Sequence, residues 1–77
     1  MATKVIMPKL GMAMSDGTVV KWLKEDGAEV QAGQPVVVVM SKKITYEVEA
    51  TADGILRHAA KPKDVRGIGQ VIGFVAE

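Results

Sequence analysis

Two adjacent lysines, Lys42 and Lys43, lie between the two clearest strand-like segments of this 77-residue chain. The run Met40-Ser41-Lys42-Lys43-Ile44-Thr45 holds no histidine, aspartate or cysteine. It also lacks the Asn-Gly and Asp-Gly pairs that short turns prefer, although glycines mark other turns of the chain. Ser41 suits the first position of a type I turn, whose middle positions tolerate most residues. Local rules tend to be broken at functional positions, and an exposed lysine amine is accessible to a modifying enzyme.

The lysine pair also has a purely structural interpretation. Lysines in a connection are commonly solvated turn residues, and lysines at strand edges discourage aggregation. A Schiff-base nucleophile would need a buried lysine, which a short exposed turn does not provide. The residues alone therefore leave two possibilities, a solvated turn and a site of covalent modification, and they predict no catalytic residue.

Few other groups in the sequence could do chemistry. The chain has no cysteine, which excludes disulfides and thiol nucleophiles. A single histidine, His58, cannot hold a metal ion alone, so no metal site is predicted; we interpret it as an exposed strand residue and Trp22 as packed or half-exposed. Ten basic and nine acidic residues are spread evenly, without a basic face that carries stacking aromatics, so no nucleic-acid partner is expected.

Membrane association and export are not indicated. The longest apolar run, Val36 to Met40, is about one strand long and too short to span a bilayer. Residues Met1 to Lys4 lack the apolar segment of a signal peptide and the composition of a transit peptide. We therefore expect no membrane partner and a cytoplasmic location.

Strand signals dominate the chain, and no segment shows a helical period. β-Branched runs and turn residues predict about eight short strands, at residues 4–7, 17–23, 28–30, 36–40, 45–50, 55–60, 65–66 and 71–75. Asp16-Gly17 is echoed by Asp53-Gly54, and Gly33-Gln34 by Gly69-Gln70, at spacings of 37 and 36 residues. The prediction is an all-β fold, a flattened barrel or sandwich of two four-stranded antiparallel sheets with quasi-two-fold internal symmetry.

From about Val5 to Val75 the chain resembles the lipoyl domains of the acyltransferase components of 2-oxoacid dehydrogenase complexes. The resemblance rests on residues 7–12 (MPKLGM), on residues 17–23 (GTVVKWL), and on residues 45–50 (TYEVEA), which match the segment that follows the modified lysine in that family. In this register Lys43, and not Lys42, takes the place of the lysine that carries lipoate. The resemblance implies that residues 1–77 form a single lipoyl carrier domain of the biotinyl/lipoyl carrier fold, excised from the N-terminus of a longer acyltransferase.

The same resemblance implies site residues and partners. Gly27 and Gly54 match glycines found before and after the family's modified lysine, and we expect them, with Glu47, to contact the modifying enzyme. A lipoate-protein ligase would attach lipoate to Lys43. The lipoyl arm would then carry acyl groups and reducing equivalents between a 2-oxoacid decarboxylase, the acyltransferase catalytic domain and dihydrolipoyl dehydrogenase. The isolated domain is expected to be monomeric and not to be an enzyme.

Three positions beside the lysine depart from the family pattern. Met40, Lys42 and Ile44 stand where the family usually has an acidic residue, an aspartate and an alanine. These departures leave open which ligase and which decarboxylase accept the domain. The biotinyl carrier domain of biotin-dependent carboxylases prefers methionine on both sides of its lysine, unlike this chain. It remains an alternative, as does an unmodified interaction module of the same fold.

Overall fold

The computed structural model describes residues 2–9, 15–42 and 44–77, and the regular structure in these ranges consists of strands. The strands are β1 (Ala2–Ile6), β2 (Asp16–Trp22), β3 (Glu29–Val30), β4 (Pro35–Ser41), β5 (Ile44–Glu49), β6 (Gly54–His58), β7 (Val65–Gly67) and β8 (Val71–Ala76). Each predicted strand is present, with its ends within two residues of the predicted ones. Nowhere in the described ranges is there a helix that could cross a membrane.

The eight strands form two four-stranded sheets whose neighbours are all antiparallel. One sheet has the order β1-β8-β6-β3 and the other has the order β5-β4-β2-β7. Adding four to each strand number of the first order, with the count starting again at β1 after β8, gives the second order. This exchange confirms the predicted quasi-two-fold symmetry and the predicted fold class.

Hydrogen bonds between backbone groups repeat with the same symmetry. The amide of Leu23 donates to the carbonyl of Val36 at 2.8 Å, and 36 residues later the amide of Ala59 donates to Ile72 at 3.0 Å. The dipeptide echoes in the sequence therefore mark equivalent turns. The same shift by four strands converts the pair β4–β5 into the pair β8–β1, in which Ala2 pairs with Ala76. The β4–β5 hairpin therefore corresponds to the place where the two ends of the chain meet.

An aliphatic core fills the space between the sheets, and among the described residues no polar or charged side chain is buried. The valine run of β4 contributes Val36, Val37 and Val39, all fully buried. If side chains alternated strictly between the two faces of β4, either Val36 or Val37 would point outward. The register of β4 against β5 slips between Pro35 and Val37, and this bulge allows Val36 and Val37 both to face the interior.

Two stacked aromatic rings join the sheets. Trp22 ends β2 and His58 ends β6, and their rings stack with centroids 3.9 Å apart and planes 13° from parallel. Trp22 Nε1 donates to the carbonyl of Ala60, and His58 Nε2 donates to the carbonyl of Lys24, each at 2.9 Å. His58 is thus half-buried and hydrogen-bonded, so its interpretation as an exposed residue was wrong.

Candidate functional site

The lysine pair belongs to the hairpin of β4 and β5. The two strands pair from Pro35 with Glu49 as far as Ser41 with Ile44, so two residues connect the last paired positions. Lys42 lies in the turn and its side chain is exposed, as predicted. Lys43, the predicted attachment residue, lies outside the described residues.

The backbone of Lys42 adopts a left-handed conformation, with φ at 55°. A type I turn has negative φ at both central positions, so this is not the type I turn that Ser41 would suit. Two-residue hairpin loops favour types I′ and II′, because their twist matches that of the flanking strands. Both types require positive φ at the first central residue, which is the position of Lys42. Lysine departs here from the Gly, Asn and Asp that such a position favours.

The surface around the turn is apolar and basic. Met40, Ile44 and Tyr46 are exposed, Ile44 to 55%. Residues 36–46 include no aspartate or glutamate, so the acidic flank typical of the family is absent from both strands of the hairpin at this end. Val48 lies on the same face of β5 as Ile44 and Tyr46, but it is half-buried and packs against the core.

Glu47 lies on the exposed strand β5, opposite Val38. It points to the same face of the hairpin as Thr45, two residues earlier, whose partner across the ladder is Met40. An enzyme that covers this face of the hairpin would reach Glu47. Its role in recognition stays a prediction.

The two glycines named from the family register are explained by the fold. Gly27 has φ at 91°, and its amide donates to the carbonyl of Leu56 at 2.7 Å. Gly54 begins β6, where a Cβ atom would collide with the carbonyl oxygen of Ala76 and lie 2.9 Å from its carbon. Both glycines contact the sheet that contains β6 and β8, and the hairpin belongs to the other sheet. The role of both glycines in recognition by the ligase stays a prediction.

Chemically, the exposed end of the hairpin suits the presentation of a side chain to other proteins. In the ranges that the structure covers, no three His, Cys, Asp or Glu residues lie close enough to hold a metal ion. An exposed hairpin end suits a covalently attached group, because both the enzyme that attaches the group and the enzymes that use it need access from solvent. The chain contains no cysteine that could form a mixed disulfide with a bound dithiol.

Comparison with known proteins identifies the family. The model of the Biotin_lipoyl family, described as "Biotin-requiring enzyme", matches residues 3–72. A dihydrolipoyllysine-residue acetyltransferase component of the acetoin cleaving system of Pseudomonas putida is 40% identical over 72 residues, which cover 92% of this chain and 20% of that protein. The corresponding Bacillus subtilis protein is 48% identical over 56 residues, 73% of this chain and 14% of its own length. The chain thus spans a fifth or less of these relatives.

A solved structure shares the whole architecture. The solution structure of the lipoyl domain of the 2-oxoglutarate dehydrogenase complex from Azotobacter vinelandii has a TM-score of 0.77 and 28% identity, and the match covers 96% of this chain and 95% of that one. These relatives are lipoyl proteins, so the comparisons give the biotinyl alternative no better support. Lipoyl domains carry lipoate attached covalently to lysine. The chain belongs to the Biotin_lipoyl family, and within it the chain is a lipoyl carrier domain of the kind found in the acyltransferase components of 2-oxoacid dehydrogenase complexes.

Proposed function

We propose that Lys43 is the residue that carries lipoate, through an amide to its side-chain amine. The observation that carries this proposal is the pairing of Ser41 with Ile44, which leaves two lysines as the connection of the β4–β5 hairpin. The match of residues 45–50 to the family selects the second lysine. The exposed surroundings of Lys42 support access by a lipoate-protein ligase.

The domain would serve as a mobile carrier within a larger acyltransferase. Bound lipoate supplies a strained disulfide that accepts an acyl group together with two electrons. The protein supplies an attachment point next to exposed Lys42, on a body of two sheets. Tethering to a complex gives the carrier an effective concentration on the order of mM at each active site, however dilute the complex is. We propose as partners a 2-oxoacid decarboxylase, the acyltransferase catalytic domain of the same chain and dihydrolipoyl dehydrogenase. The cytoplasmic location stays a prediction.

The attachment site can be tested by intact mass spectrometry. Incubation with lipoate, ATP and a bacterial lipoate-protein ligase should add one lipoyl group to the wild-type chain and to Lys42→Arg. Lys43→Arg should gain nothing, because a guanidinium does not form the amide. A parallel incubation with biotin and a biotin ligase should leave the mass unchanged.

Two results would contradict parts of this proposal. Lipoate found on Lys42 in a proteolytic digest would show that the register is wrong by one residue. Incorporation of biotin in preference to lipoate would favour the biotinyl alternative, and failure of both reactions would favour an unmodified interaction module.

A further inference from the structure

The left-handed backbone at Lys42 is imposed by the closure of the hairpin. Because Ser41 pairs with Ile44, the chain must reverse within two residues. Turns that do so without splaying the strands need positive φ at the first of them. Every L-residue other than glycine meets a steric penalty there, least for asparagine and aspartate and most for β-branched residues. At φ 55° Lys42 therefore adopts a conformation that its side chain disfavours.

A second lysine provides an internal comparison. Lys63 is the other non-glycine residue with positive φ in the described ranges, at 76°. Its symmetry equivalent is Gly27, at 91°. The amide of Lys63 donates to Val19 and that of Gly27 donates to Leu56, at 2.6 and 2.7 Å, so the fold fixes this turn whatever residue occupies it. Lys63 lies in the connection between β6 and β7 and takes no part in the β4–β5 hairpin.

We propose that Lys42 is a positioning residue for lipoylation. Its backbone conformation, and not its ammonium group, determines where the hairpin presents Lys43 to the ligase. A residue that resists positive φ would force a turn of another type and shift the lysine relative to the activated lipoyl group. A misplacement of about 1 Å can lower a rate on the order of a hundredfold. This inference rests on the proposed attachment to Lys43.

Substitutions at position 42 separate conformation from charge. Lys42→Gly and Lys42→Asn tolerate positive φ, and Lys42→Gln removes the charge while keeping a long unbranched side chain. For these three we expect kcat/KM for lipoylation to stay within about threefold of wild type. Lys42→Val resists positive φ and should lose at least about tenfold. Lys42→Thr, whose side chain is β-branched but polar, should also lose at least about tenfold and serves as the test if the valine variant does not fold.

The matched control is Lys63→Val. It places the same substitution at a residue of similar φ outside the hairpin, so it should lose thermal stability while its lipoylation rate stays at the wild-type value. A purely structural role of Lys42 would give both valine variants the same result.

The proposal is overturned if folded Lys42→Val is lipoylated at the wild-type rate, or if Lys42→Gln is as slow as Lys42→Val, which would show that the ligase reads the charge. A wild-type chain that takes no lipoate would instead overturn the attachment proposal. Intact mass over time distinguishes these cases.

Discussion

At Gly54 the space that a side chain would need is already filled by the backbone of β8. A Cβ atom would collide with the carbonyl oxygen of Ala76 and approach Val75 Cγ1 at 3.0 Å. We expect Gly54→Ala to lower the free energy of unfolding by about 2–3 kcal/mol, the upper part of the usual cost of overpacking. Gly27→Ala meets open space and only the penalty of positive φ, so it should lose about 1–2 kcal/mol. Urea unfolding measures both, and an equal or smaller loss at Gly54 would contradict the packing argument.

The same two variants decide whether these glycines also contact the ligase. Total stability is roughly 4–12 kcal/mol for a domain of this size at ~0.05–0.15 kcal/mol per residue, so both variants should remain folded. If both are lipoylated at the wild-type rate, the glycines serve the fold alone. Slower lipoylation of a folded variant would support the predicted recognition role.

At the scale of the elements, β4 shows what the sequence could and could not predict. Its four valines predicted a strand, and the alternation and turn residues elsewhere predicted the other seven. The bulge after Pro35 was not predictable, because it depends on the register of β4 against β5. The positive φ of Lys42 was also missed, since lysine gives no local signal for it. The hairpin and the lysine pair came from the sequence alone, and the choice of Lys43 came from family resemblance.

The turn between β6 and β7 offers a prediction at this scale. Lys63 occupies a left-handed position that its symmetry equivalent fills with Gly27. Lys63→Gly should relieve about 1–2 kcal/mol of conformational strain and lose about 0.5–1 kcal/mol to the greater freedom of the unfolded chain. We expect a net gain of about 0.5–1 kcal/mol in thermal or urea unfolding. Lys61→Gly, in the same turn but without positive φ, should lose stability, and a loss in Lys63→Gly would show that the turn is not strained.

At the scale of the whole molecule, the duplication brings equivalent side chains together across the interface of the sheets. Trp22 and His58 are 36 residues apart and occupy equivalent strand ends. Each ring donates its hydrogen bond to a carbonyl that follows the other ring's strand, Ala60 for Trp22 and Lys24 for His58. The pair thus links the two sheets by a stack and two hydrogen bonds.

A double-mutant cycle tests whether this contact couples the sheets energetically. Trp22→Leu and His58→Leu should each destabilise the domain, and the double variant should lose less than the sum because the stack can be lost only once. We expect a coupling of about 0.5–1.5 kcal/mol from urea unfolding. Tyr46→Leu provides the control, since Tyr46 is exposed on the edge strand β5 and its ring is not stacked on Trp22. Its effect should add to that of Trp22→Leu within about 0.3–0.5 kcal/mol. If the Trp22–His58 cycle is equally additive, the stack does not couple the sheets, and each ring stabilises the domain independently of the other.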